Sequence, residues 1–349
     1  MSLWVDKYRP TTLEKLSYHD DLSAHLKQLA SLPDFPHLLF YGPSGAGKKT
    51  RIVAVLRELY GAGVEKLKID QRIFVTPSNR KLELNVVSSN YHLELNPSDV
   101  GMYDRMVVQE LIKDVAQTQQ VDANAKHRFK VIVINEADAL TRDAQSALRR
   151  TMEKYMSNLR LILCCNTTSK IIAPIRSRCL LVRVAAPSIE DISAVLRTVA
   201  KKESFKLSTQ VAENIAEQAD RNLRKALLML EAAKVQGNLN EGDAVPGTDW
   251  EIFISQIAAS IVEQQTPHRL LEVRGKVYEL LSHCIPADMV LKTLAFELLK
   301  LVRPEMRPEI VHWAAFYEHR LKNGSKQIFH IEAFVAKVMS VYKKMLMSQ

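Results

Sequence analysis

Up to residue 185, short apolar runs alternate with longer amphipathic stretches, the pattern of an α/β domain built on a parallel sheet. The runs HLLFY (37–41), YHLEL (91–95), FKVIVIN (129–135), LRLILCC (159–165) and LLVRV (180–184) predict strands. Stretches 48–59, 102–118 and 143–156 carry the apolar spacing of helices. KIDQRIFVT, from Lys68, reads as an additional strand or edge element.

After AAPS the strand signals stop. Pro187, Ser188 and Asp191 form a helix start with a capping box, and three helical stretches run from there to about Val235. QGNLNEGDAVPGTD (236–249) is polar and turn-rich, which predicts a linker. From Trp250 onward everything reads as helix, as in MVLKTLAFELLKLV and IEAFVAKVMSVYKKML. The expected organisation is an α/β domain over 1–185, a small helical domain over 186–236, a linker over 237–249 and an all-α domain over 250–349.

At 349 residues, with 47% apolar and 25% charged residues, the composition is that of a soluble multidomain protein. No apolar run approaches bilayer length, and MSLWVDKYRP lacks the apolar region of a secretory signal, so an intracellular protein is expected and no membrane partner. The cysteines Cys164, Cys165, Cys179 and Cys284 have no metal-ligand spacing; Cys164 and Cys165, adjacent on a strand, point to opposite faces. A net charge of +9 suits either an acidic partner such as nucleic acid or simple solubility, because the basic residues form no tail.

The chemistry concentrates in GPSGAGKKT, Gly42 to Thr50. Gly42, Pro43, Ser44, Gly45, Ala46, Gly47 and Lys48 follow a phosphate-binding loop between a predicted strand and a predicted helix. In such a loop backbone N–H groups converge on phosphate oxygens at a helix N-terminus, and the lysine reaches the outer phosphates. Lys49 stands where a Ser or Thr would ligate Mg²⁺, and Thr50 is turned about 100° away. In VIVINEAD, Asn135 replaces the expected acidic residue while Glu136, the position of a catalytic base, is retained as a vestigial one. An ammonium at 49 and a lost carboxylate at 135 are chemically coupled: the cation partly replaces the metal, predicting ATP or ADP binding with Mg²⁺ weak or absent and without efficient turnover. Two alternatives stand beside this: an active ATPase using Glu136, and a scaffold with an empty loop.

Further candidates are weaker alone. Asn166, past a strand, either orients a γ-phosphate or closes a turn. Arg176 and Arg178 either meet surface carboxylates or project into a neighbour's nucleotide. Arg221, Arg224 and Lys225 open a helix, and Arg224 either reaches phosphates or is solvated. Arg149 and Glu153 have the spacing of a local ion pair. Arg105 and Arg142, near helix starts, are candidates for DNA phosphates.

Taken together, WVDKYRP, the phosphate loop, NEAD, ALRRTMEKY, SRC and NLRKALLML resemble, in order and over essentially the whole chain, the replication factor C small subunits of AAA+ clamp loaders. The resemblance implies a P-loop AAA+ module, a helical lid and a C-terminal collar. It implies a nuclear heteropentamer with other replication factor C subunits that uses ATP to open the sliding clamp (PCNA) and load it on primer–template DNA in replication and repair. It places Val5, Tyr8, Arg9 and Pro10 near the adenine, makes Asn166 sensor 1 and Arg224 sensor 2, and makes Arg178 an arginine finger for the adjacent subunit. The chain would sit beside the gap of the ring, where no ordinary finger faces its own nucleotide.

Overall fold

The computed structural model describes residues 2–75, 81–97, 101, 103–117, 129–156, 158–237 and 247–347. The chain divides into two compact units, 1–245 and 246–349.

The first unit opens with α1 (Trp4–Lys7) and α2 (Asp20–Ser31), then β1 (Leu38–Tyr41) and α3 (Lys48–Tyr60). β2 (Lys68–Val75), β3 (Lys81–Ser88) and β4 (His92–Leu95) follow, then α4 (Asp104–Gln117) and β5 (Lys130–Ile134). α5 (Arg142–Lys154), β6 (Leu159–Cys165), α6 (Ala173–Arg176) and β7 (Leu180–Arg183) complete the sheet domain. The sheet order is β2-β3-β4-β5-β6-β1-β7. From β4 to β7 every pairing is parallel, as the sequence pattern predicts.

The other edge corrects that expectation. KIDQRIFV is an edge strand, but KLELNVVS is a second one, and the two form an antiparallel hairpin that joins β4 through Val87–Glu94 and Ser88–Leu93. The sheet is therefore mixed. The alternation in KLELNVVS was the available signal: Leu84 and Val86 are buried while Glu83 and Asn85 are not.

The period of two sorts the central strands into two cores. Leu39, Ile132, Ile134, Leu161, Leu163 and Cys165 pack against α4 and α5. Leu38, Phe40, Val131, Val133, Ile162 and Cys164 pack against α2 and α3. Cys164 and Cys165 thus lie in different cores, as expected of neighbours on a strand. Cys179 is also buried, and Cys284 is exposed.

Three helices, α7 (Ile189–Lys202), α8 (Thr209–Gln218) and α9 (Leu223–Gln236), form the lid. The capping box is present: Ser188 Oγ accepts from the Asp191 N–H and Asp191 Oδ2 from the Ser188 N–H, both at 3.0 Å. Asn222 caps α9 through the Lys225 N–H, and α9 stops at Gly237, whose φ of 80° is left-handed. Arg221 lies outside that helix, its guanidinium donating to the carbonyls of Ala186 and Pro187. Most of the expected linker falls outside the described residues.

The second unit comprises α10 (Asp249–Glu263), α11 (Pro267–Ser282), α12 (Ala287–Leu301), α13 (Arg307–Asn323) and α14 (Gln327–Met347). Ile254, Ile257 and Ile261 meet Val290, Leu294, Leu298, Phe334 and Val338 in its core. No described helix is long and apolar enough to cross a membrane.

Candidate nucleotide-binding site

Because β4, β5, β6 and β1 are parallel neighbours, their C-terminal ends share one rim, where open α/β sheets bind ligands. Asn96 follows β4, Asn135 and Glu136 follow β5, Asn166 follows β6, and the glycine loop follows β1. These residues border one cavity of about 330 Å³.

The loop is wedged on three sides. A Cβ on Gly42 would come within 1.9 Å of the Val184 carbonyl oxygen, one on Gly45 within 1.7 Å of Asn222 Oδ1, and one on Gly47 within 2.4 Å of Tyr18 Oη. Gly45 and Gly47 also adopt left-handed φ of 75° and 84°. α3 begins with no side-chain cap and no acidic residue in its first turn. A glycine cradle at an uncapped helix N-terminus fits a phosphate chain.

Lys48 is buried, and its Nζ donates to the carbonyls of Gly42 (2.7 Å) and Pro43 (2.8 Å) and to Asn166 Oδ1 (2.9 Å). Burial pushes its pKa below the usual lysine value. The structure thus joins Asn166 and the loop lysine directly. Ser44, Gly45, Gly47, Lys49 and Thr50 border the cavity, whereas Gly42, Pro43 and Ala46 contribute their carbonyls as acceptors.

Lys49 borders the cavity but does not stand there as a free cation. Its Nζ pairs at 2.9 Å with Oε2 of Glu94, a buried carboxylate on β4. The sequence argument missed this partner because Glu94 is brought to α3 only by strand order. Glu136 lies in a left-handed turn (φ 50°), and Asp138 Oδ2 accepts from the Asn166 N–H at 3.3 Å.

Val5, Tyr8, Arg9 and Pro10 also border the cavity, together with apolar lid residues Val195, Val199, Leu223 and Leu227 that sequence reasoning did not single out. The N-terminal segment packs on the lid: Trp4 joins the lid core, and its N–H donates to Glu231 Oε2 at 3.1 Å. Glu203 accepts from Lys7 Nζ (2.6 Å) and Tyr8 Oη (2.5 Å). Arg224, in the first turn of α9, reaches the cavity as well.

Arg178 is not among the cavity residues. It is exposed, its Nε and Nη2 donating to Glu153 Oε1 (2.9 and 2.5 Å) and its Nη1 to the Pro174 carbonyl (2.9 Å). Glu153 is therefore paired with Arg178 and not with Arg149, whose Nε is buried without a partner. Helical spacing permitted the local pair, but the chain turn at α6 delivers a stronger fork.

Arg105 and Arg142 begin neighbouring helices. Buried Asp104 accepts from the Thr141 N–H (2.7 Å) and Oγ1 (2.9 Å), tying the start of α4 to the cap of α5. Arg142, Lys170 and Arg176 border a second, open groove.

Comparison with known proteins agrees with this architecture. Residues 38–184 match the family model for the ATPase family associated with various cellular activities (AAA), 194–235 that for the RCF1/5-like AAA+ ATPase lid domain, and 250–346 that for the replication factor C subunit 3 C-terminal domain. The structure superposes on Thermotoga maritima RuvB, a Holliday junction branch migration motor, with TM-score 0.52 over 84% of this chain and 91% of that one; at 14% identity this speaks to the fold. The chain is 61% identical to replication factor C subunit 5 of Neurospora crassa over 100% of its length and 99% of the relative's. It is 59% identical to human replication factor C subunit 3 over 99% and 98%. An AAA+ P-loop module with a lid and a C-terminal helical domain, matched along its whole length, makes this chain a member of the replication factor C subunit 3/5 family.

Proposed function

We propose that this chain is the clamp-loader subunit that holds an adenine nucleotide without turning it over efficiently and donates Arg178 to the neighbouring subunit's ATP. The observation that carries the reading is the cavity lining itself. Gly45, Gly47 and Lys48 line the same cavity as Lys49 and Asn135, where a hydroxyl and a carboxylate would otherwise hold Mg²⁺. Such a metal would supply charge neutralisation, and a hydroxyl at 49 and a carboxylate at 135 are the groups that would hold it. Here the loop, Lys48 and Arg224 would bind and orient the phosphates, and Asn166 would fix the Lys48 ammonium. Val5, Tyr8 and Pro10, with the lid, would exclude water from the base. Glu136 borders the same cavity, which favours a second reading of slow hydrolysis; magnesium-dependent turnover by the isolated chain separates the two.

In this reading residues 1–185 form the AAA+ module, 186–236 the lid and 250–349 the collar. The other replication factor C subunits bind in a nuclear hetero-oligomer, the sliding clamp (PCNA) is the substrate that is opened, and primer–template DNA lies against the basic groove. Exposed Leu271, Phe296, Phe316 and Phe329 in the helical unit support subunit contacts there. Arg105 and Arg142 are exposed at these helix starts, which supports them as DNA-facing.

The test is turnover by the assembled loader with clamp and primed DNA, carrying Arg178→Ala in this chain alone. Loss of one site's share of ATP turnover is expected, by about 10³-fold or more at that site, with assembly intact. Unchanged turnover would leave Arg178 a structural residue and remove the donation in trans.

A further inference from the structure

Among the described residues Arg51 is the largest side chain that is entirely buried. It lies on α3 one turn past Gly47, on the helix stripe that also carries Val55 and Leu59. Its Nη2 donates to the Tyr18 carbonyl (2.8 Å) and its Nη1 to the Ala46 carbonyl (3.4 Å). The guanidinium sits 4.5 Å from the centroid of the Tyr18 ring, and its Nε is buried without a partner. Tyr18 Oη donates to the same Ala46 carbonyl at 3.0 Å.

Two consequences follow from this arrangement. In a trans peptide the C=O and the next N–H point in opposite directions. Two donors holding the Ala46 carbonyl therefore turn the Gly47 N–H away from the Tyr18–Arg51 layer. That layer closes on Gly47 so tightly that a Cβ there would meet Arg51 Nη1 at 3.1 Å as well as Tyr18 Oη. The second consequence is electrostatic. Lys48 and Arg51 are both buried at the positive end of α3, where cations are disfavoured, yet their partners are carbonyls, one amide and one aromatic face. Among the described residues neither cation has a carboxylate in an ion pair: Glu94 pairs with Lys49, and Asp138 acts on Lys48 only through space. Burying a cation without a counter-ion is costly unless a ligand supplies the negative charge.

We propose that Arg51 is a positioning residue of the phosphate loop, and that the buried Lys48–Arg51 pair takes the phosphate chain of a nucleoside diphosphate as its counter-ion, with no metal required. This rests on the nucleotide reading above and deepens it. Arg51 does not border the cavity; it acts through the Ala46–Gly47 peptide and through its charge.

The test measures binding of ADP and of adenosine to the full chain in EDTA, together with thermal melting with and without ADP. Arg51→Met is expected to weaken ADP binding on the order of tenfold to a hundredfold while leaving adenosine binding unchanged. Its melting temperature without nucleotide stays level or rises, because a buried charge has become a buried apolar chain, and the ADP-induced rise shrinks. Arg51→Lys keeps the charge and recovers part of the loss, and Tyr18→Phe weakens ADP binding severalfold. Wild-type ADP affinity in Arg51→Met, an equal loss for adenosine, or a lowered melting temperature with an unchanged ADP-induced rise would each overturn the proposal. Should the methionine variant fail to fold, the other two decide: selective weakening of ADP supports the assignment, and its absence in both overturns it. A wild-type chain that binds no ADP would instead sink the nucleotide reading itself.

Discussion

Arg51 and Arg178 are treated in opposite ways by the fold. Arg51 is sealed beneath the phosphate loop with carbonyls and a tyrosine ring for company and, among the described residues, no paired carboxylate. Arg178 stands exposed at the far end of the sheet domain's chain, forked onto Glu153. A buried charge without a counter-ion creates a standing demand for an anion, whereas a solvated pair is cheap to open. On the proposed reading, the contrast separates a site that retains phosphates from an exposed arginine held in a form that can be released to a partner.

Two intermediate cases sharpen the contrast. Arg160 is buried, like Arg51, but it is satisfied by Asp34 and by the carbonyls of Phe35, Met156 and Leu159. Burial, first, and Arg160, second, drive the neighbouring His37 down to about 4. His37 Nδ1 accepts from the Leu161 N–H at 3.0 Å, an arrangement that the neutral ring provides. With the folded value below the unfolded one near 6.5, the unfolded chain binds the proton first as pH falls. Stability is therefore full above pH 6.5 and is lost between 6.5 and 4, by about 3 kcal/mol in total. Urea melts across that range should show the slope, and His37→Asn should flatten it. An unchanged slope would mean that His37 is not the group whose protonation costs this stability.

Lys49 is the mixed case, an exposed lysine on a buried carboxylate. Lys49→Ser strips the partner from buried Glu94 and should cost about 1–3 kcal/mol of stability in chemical denaturation. The same change should not create magnesium-dependent ATP hydrolysis, because Asn135 still lacks a carboxylate. Recovery of turnover would show that a single position had silenced the site. The smallest effect belongs to Glu153→Gln, which opens the exposed fork and should change stability by less than about 1 kcal/mol. A loss much larger than that would place Arg178 among the structural arginines and erase its difference from Arg51.

Much of the architecture was legible because it depends on periodicities that a chain carries locally. The strands β1, β4, β5, β6 and β7 and the capping box at Ser188 lie where the pattern places them. The glycine loop was legible for a similar reason: its spacing, its lysine and its place between a strand and a helix are all consecutive. The second strand of the edge hairpin was passed over because KLELNVVS lies beside a turn-rich stretch. Arg149 was paired with the wrong geometry in mind, since helical spacing says nothing of what α6 brings alongside.

By itself, then, the sequence determined the element types, the loop that cradles phosphate, and the two substitutions, Lys49 and Asn135, that depart from a metal site. Only the tertiary structure decided which charges are paired. Lys49 meets Glu94 across strand order, Glu153 meets Arg178 across 25 residues, and Lys48 meets Asn166 across 118. It also decided that Trp4 joins the lid and that Arg51 is left beneath the loop without, among the described residues, a paired carboxylate. The reason is physical: a backbone's local preferences are written every two or four residues, but the solvation and partner of a charge depend on which distant surfaces close over it.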